Sequence, residues 1–140
     1  METKKLDDTL CIRPQVLPEQ LAEAARLGFR SVINNRPDGE EPGQPTSDQV
    51  AAAAHAAGLE YRHIPVIPGQ ITDDAIDAFQ RGIAEMPKPI VGFCRTGTRA
   101  AMLWALSNAR EIGADNAIEC AAGAGCDISG IRARLEQRGG

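Results

Sequence analysis

The sequence predicts an α/β fold: a single domain with a mostly parallel sheet flanked by helices. Three observations carry that prediction. Short runs rich in strand-forming residues, at 10–13, 30–34, 59–66 and 90–93, alternate with helical patterns along the whole chain. Alternation of this kind places parallel strands beneath helices on both faces. The length of 140 residues, with 43% apolar and 24% charged residues, suits one domain with a substantial core. No repeat, low-complexity tract or composition break divides residues 1–140, and the core is expected over about 6–136.

Each element has a local reason. The N-terminal Met-Glu-Thr-Lys-Lys is polar and is expected to fray. Residues 10–13 form the first strand. A helix follows over 17–27: Pro18 suits its first turn, Leu21, Ala24, Ala25 and Leu27 line one face, and Gly28 ends it. Val32 and Ile33 are the buried residues of the second strand. Residues 35–45 form a polar loop crowded with Gly, Pro and acids, long for a strand-to-helix connection, and long loops in compact domains are often functional. Thr46 or Ser47 caps a helix running to Ala57, stopped by Gly58. The third strand spans 59–66, with Tyr61 and Ile64 among its apolar positions, and Pro68-Gly69 marks a turn. Thr72 caps a helix over 73–86, with Asp73 and Asp74 favourable in its first turn. Two helical patterns, around 116–122 and 128–138, close the chain.

Residues 89–101 organise the rest. Ile90, Val91 and Phe93 read as a buried strand, and from Thr98 onward the residues are mostly helix formers. Between them lies Cys94-Arg-Thr-Gly-Thr-Arg99. A loop entering a helix directly presents free backbone N–H groups which, with the positive end of the helix dipole, make an anion site. Cysteines at helix N-termini or beside Arg are commonly held as thiolates. Gly97 permits positive φ and close approach of the backbone to a ligand. Arg99 offers a two-pronged fork for an oxyanion. Arg95, Thr96, Gly97, Thr98 and Arg99 are therefore the expected anion-binding residues around a nucleophilic Cys94. In parallel sheets ligands bind at the carboxyl ends of the strands. That edge holds the acidic loop, the 67–71 turn and the cysteine loop.

Composition excludes several alternatives. The net charge of −4, with no basic tract, argues against nucleic-acid binding. No apolar run approaches a membrane span and no secretory signal is visible, so cytoplasmic residence with reduced thiols is expected. The four cysteines, Cys11, Cys94, Cys120 and Cys126, show no zinc spacing, and the two histidines are scattered. No metal or cofactor is expected.

The segment Phe93-Cys94-Arg-Thr-Gly-Thr-Arg99 resembles the active loop of rhodaneses, which carries a persulfide. The wider chain, through Ile33-Asn-Asn-Arg-Pro-Asp-Gly-Glu-Glu-Pro-Gly-Gln-Pro45, Tyr61-Arg-His-Ile-Pro-Val66, Gly69-Gln-Ile-Thr72 and the Cys94 loop, resembles the bacterial family related to the phosphatase-like domain of β-lactamase hydrolase-like proteins. The resemblance implies a tyrosine-phosphatase-like fold, sulfur-transfer or phosphatase-like chemistry, and sulfide-oxidation enzymes as partners. The phosphatase signature is departed from in four places. Four residues, not five, separate Cys94 from Arg99. Phe93 stands where His is usual, and Ala100 where Ser or Thr would help the thiol leave. The stretch 66–69, where the general-acid Asp of dual-specificity phosphatases usually follows, carries no acid.

Sulfur transfer is accordingly the expected activity. Cys94 takes the outer sulfur of thiosulfate or a low-molecular-weight persulfide, the 95–99 amides and Arg99 hold it, and a thiol acceptor removes it. A cysteine phosphatase using the same Cys94 and Arg99 is the alternative, with a non-enzymatic persulfide or redox sensor as a further one. Asp38 is the candidate substitute acid, weighed against a turn-forming role before Gly39. Arg36 is expected to position the acidic loop by a salt bridge, Glu40 and Glu41 to form a solvated face, and His63 to be a hydrogen-bonded core histidine. Cys120 and Cys126 are expected to pack rather than to resolve a bond at Cys94. Cys11 and Trp104 are expected to belong to the core.

Overall fold

In the computed structural model, which describes residues 1–139, five strands form one sheet. They are β1 (Lys4–Lys5), β2 (Leu10–Arg13), β3 (Ser31–Asn34), β4 (Glu60–His63) and β5 (Ile90–Phe93), in the order β1-β2-β5-β3-β4. Strands β2, β5, β3 and β4 run parallel, and β1 pairs antiparallel to β2 at the edge. The expected mostly parallel α/β sheet is therefore present, with β5 at its centre. This position explains why β5 reads as a continuous apolar run, since both its faces are covered.

The period of two along each strand sorts the core into two layers. Leu10, Ile12, Ile33 and Ile90 face one way. There they meet Phe79 of α3 (Asp73–Glu85), Leu103 and Leu106 of α4 (Thr98–Ile112), Ala117 of α5 (Ala114–Gly123) and Leu135 of α6 (Arg132–Gly139). Val32, Val91 and Phe93 face the other way, against Leu21 of α1 (Leu21–Arg26) and Val50 of α2 (Ser47–Ala56). Gly92 points into the first layer, where an added Cβ would lie 3.4 Å from Leu10 Cδ1 and 3.8 Å from Ala100 Cβ. Its missing side chain lets the start of α4 sit close against β5.

Four expectations need correction. The N-terminus does not fray: Lys4 and Lys5 extend the sheet, Met1 packs on the second core layer, and the terminal ammonium pairs with Glu23. The helix predicted over 17–27 is a 3-10 turn at Pro18–Gln20 followed by α1, and Leu27 is 56% exposed because the chain has already left the helix there. The third strand is ladder-paired only over β4. Beyond it the amides of Ile64 and Val66 still bond to the Asn34 and Asn35 carbonyls, and Pro65 between them sits with its nitrogen toward the open edge of the sheet, where no N–H is needed. The last helical pattern splits into a 3-10 turn at Ser129–Ile131 and α6. The caps at Thr46 and Thr72 are as expected: their hydroxyls accept from Gln49 and Ala75 amides.

Candidate active site

The site lies at the carboxyl end of β5, where the chain turns into α4. Gly97 is the N-cap of α4 at φ +96°, a conformation that favours glycine. An added Cβ there would also lie 3.4 Å from the Arg13 backbone. The first turn holds no acidic residue; the Thr98 amide donates to Thr96 Oγ1 at 3.4 Å, and the amides that follow it remain open to an anion. Cys94 is fully buried at the base of the loop, and its Sγ accepts a hydrogen bond from the Gly97 amide at 3.1 Å. Thr96 and Thr98 face each other through their hydroxyls at 3.2 Å, and Arg95 projects outward.

Arg99 comes from the first turn of α4 and is largely buried. Its Nη1 donates to Glu40 Oε2 at 2.7 Å and to the Val66 carbonyl at 2.9 Å, and its Nη2 donates to Glu40 Oε1 at 2.9 Å. A guanidinium has five N–H donors in a rigid fork. Three are thus committed, which leaves Nε–H and one Nη2–H together along a single edge. Cys94 is near enough to act on the charge of Arg99. Burial works against the charge on Arg99, but the Glu40 carboxylate and Cys94 outweigh it and its pKa is raised.

Glu40 is the residue that sequence reasoning misjudged. It is no solvated face: besides Arg99 it accepts from Arg36 Nε at 2.9 Å. The hydrogen bonds from Arg99, reinforced by those from Arg36, push its pKa down to about 2 against the cost of burial. Glu41 extends the chain of charges, with Oε1 at 2.6 Å from Arg95 Nε and 3.5 Å from Arg36 Nη2. The acidic loop is fixed from beneath. Gln44 Nε2 donates to the Pro37 carbonyl and its Oε1 accepts from the Glu40 amide; Arg36 Nη1 donates to Gln15 Oε1. His63 Nε2 lies 2.8 Å from the Arg36 carbonyl oxygen, a structural contact of the kind expected. The available signal for Glu40 was topological: both loops follow strands whose carboxyl ends share one sheet edge.

The loop residues 94–99 are thus brought together, and Asp38 is placed apart from them. Asp38 is exposed, its Oδ1 accepts from the Ser47 amide at the start of α2 at 2.7 Å, and it does not line the cavity at the loop's mouth. That cavity, about 270 Å³, lies between Pro68-Gly69, the Arg95–Thr96 segment, Arg99 and Met102. The two downstream cysteines differ in place. Cys120 is exposed, whereas Cys126 is buried beside Thr98; burial pushes its thiol up, with Cys94 adding to the effect. Among the described residues no group of three or more His, Cys, Asp or Glu side chains could hold a metal ion, and no helix is long and apolar enough to cross a membrane.

Residues 2–111 match the family described as the phosphatase-like domain of the β-lactamase hydrolase-like protein. The chain belongs to that family. Two curated relatives agree: β-lactamase hydrolase-like proteins of Xylella fastidiosa (strain Temecula1), 47% identical over 107 residues, and of Agrobacterium fabrum, 42% identical over 111 residues. These matches cover 76% and 79% of this chain but only 25% and 26% of the relatives, so the chain spans about a quarter of their length. A structure from Neisseria meningitidis, described as that of a candidate phosphatase, superposes with a TM-score of 0.87 at 34% identity, covering 96% of both chains. Tk-PTP in its active form (TM-score 0.75, 18% identity, 98% of this chain and 95% of that one) and PTPMT1 (0.73, 13%, 99% and 94%) share the fold. The expected tyrosine-phosphatase-like fold is therefore the observed one. The comparisons favour the phosphatase alternative over the sulfur-transfer expectation and lend no support to the persulfide chemistry of the rhodanese-like loop.

Proposed function

We propose that this domain is a cysteine-dependent phosphomonoesterase. The observation that carries the reading is the buried Cys94 at the base of a loop that enters α4, its Sγ bonded by the Gly97 amide, with Arg99 from the same loop held in place by Glu40. Cys94, as thiolate, attacks phosphorus; the bond from phosphorus to the ester oxygen breaks and its electron pair leaves with that oxygen. The Arg99 fork and the amides of residues 95–99 hold the non-bridging oxygens, whose charge grows in the transition state. Water then attacks phosphocysteine, the S–P bond breaks, and inorganic phosphate departs as the thiolate is restored. Glu40, held near a pKa of 2, is already ionised at neutral pH and supplies no proton. General-acid assistance is typically worth about 10²–10⁴-fold, so turnover should depend steeply on the basicity of the leaving oxygen.

Cys94→Ser should abolish turnover of aryl phosphates, and quenching the wild type during turnover should leave one phosphoryl group on the Cys94 peptide. Absence of both the phosphoryl adduct and turnover, even with an activated aryl phosphate, would refute the reading. Asp38→Asn tests the remaining acid: selective loss with alkyl phosphates would assign it the proton transfer, and equal effects on both classes would leave it a loop residue.

A second reading, sulfur transfer, draws on the four-residue spacing between Cys94 and Arg99, which narrows the cradle and suits one sulfur atom better than a phosphoryl group. In it the Cys94 thiolate attacks the outer sulfur of thiosulfate, and sulfite leaves with the S–S electron pair. An acceptor thiolate then takes that sulfur from Cys94. One added sulfur on Cys94, with no phosphoryl adduct from any ester, would favour it.

A further inference from the structure

The charges around the cavity at the loop's mouth are paired. Arg36, Arg95 and Arg99 face Glu40 and Glu41. Both arginines that line the cavity are engaged by carboxylates, Arg99 by Glu40 and Arg95 by Glu41. The rest of the wall includes Pro68, Gly69, Thr96 and Met102, with no lysine, and the adjoining Ile67 is 55% exposed. The free edge of Arg99 and the loop amides can hold one anionic head. Beyond it a ligand meets apolar wall and an arginine already neutralised.

We infer that the site takes a phosphomonoester with a single anionic group on an uncharged, apolar aryl or alkyl body, and that Glu41 is the residue that disfavours polyanions. This rests on the phosphatase reading for the chemistry, while the selectivity stands on charge and shape alone. Glu41 acts at the rim, since its carboxylate occupies Arg95, the exposed arginine of the cavity wall. Removing that carboxylate leaves Arg95, on the wall of the same cavity, free for a second phosphate. Exposed charge pairs are worth up to about 1 kcal/mol, or about fivefold in affinity.

The test is equilibrium binding by calorimetry at low salt, which needs no turnover, with phenylphosphonate and inositol hexakisphosphate as probes. Wild-type protein should bind phenylphosphonate more tightly than inositol hexakisphosphate. Glu41→Gln should shift the ratio of the two affinities by about fivefold toward the polyanion, with the shift fading as salt rises. Adding Arg95→Ala to Glu41→Gln should return the ratio to its wild-type value. Tighter wild-type binding of inositol hexakisphosphate, or a ratio unmoved by Glu41→Gln, would overturn the inference. Because binding is read directly, failure of aryl phosphate hydrolysis would count against the phosphatase reading alone.

Discussion

Replacing Glu40 with Gln separates charge from shape at the centre of the site. Gln keeps the length and one carbonyl acceptor, so Arg99 loses half of its bidentate partner and all of its counter-charge. A carboxyl pKa lowered from 4.5 to about 2 corresponds to about 3 kcal/mol of preferential stabilisation of the ionised form. The Glu40 side chain is 21% exposed, and solvent screening reduces the net stability it contributes to about 1–2 kcal/mol. The sign follows from the depressed pKa. The contribution is complete above about pH 4.5, where the unfolded chain is also ionised, and is lost as pH falls through about 2. Urea unfolding at pH 7 should therefore show a midpoint lower by about 0.5–1 M in Glu40→Gln. The gap to wild type should narrow as pH drops below 4.5. Loss of orientation at Arg99 should also lower kcat/KM for an aryl phosphate by about 10- to 100-fold. A variant with wild-type stability, parallel pH dependence and undiminished kcat/KM would refute the assignment of Glu40 as the residue that positions Arg99.

Two further perturbations test the frame around the loop. Gly97→Ala places a Cβ at φ +96° and 3.4 Å from the Arg13 backbone. It should lower the melting temperature by about 3–6 °C and weaken anion binding; unchanged melting would show that the loop tolerates another path. Trp104 Nε1 donates to Asp7 Oδ2 at 2.8 Å, while Asp7 Oδ1 accepts the Thr9 and Leu10 amides at the start of β2. Trp104→Phe should cost about 1–2 kcal/mol, and a double-mutant cycle with Asp7→Asn should show coupling of about 1 kcal/mol; additive losses would mean that the bond contributes nothing.

What the sequence determined by itself is what depends on neighbouring residues. The apolar runs that became β2, β3 and β5, the threonine caps at 46 and 72, and the breaks at Gly28 and Gly58 act within a few positions of themselves. The loop from Cys94 to Arg99 was legible for the same reason: cysteine, turn glycine and arginine are contiguous, and a strand entering a helix fixes where the amides point. Tertiary structure decided the rest. Glu40 meets Arg99 across 59 positions of sequence, and nothing local distinguishes it from a solvated acid in a Gly- and Pro-rich loop. Lys4 and Lys5 carry no apolar pattern, so only the free edge of β2 makes them a strand. Cys120 and Cys126 lie six positions apart with similar small neighbours, yet α5 ends between them, leaving one in solvent and turning the other under Thr98. Charge pairing and burial are properties of position in space. A chain specifies them only once its strands are in register, which is why the cysteine loop could be read from the sequence and the carboxylate that holds its arginine could not.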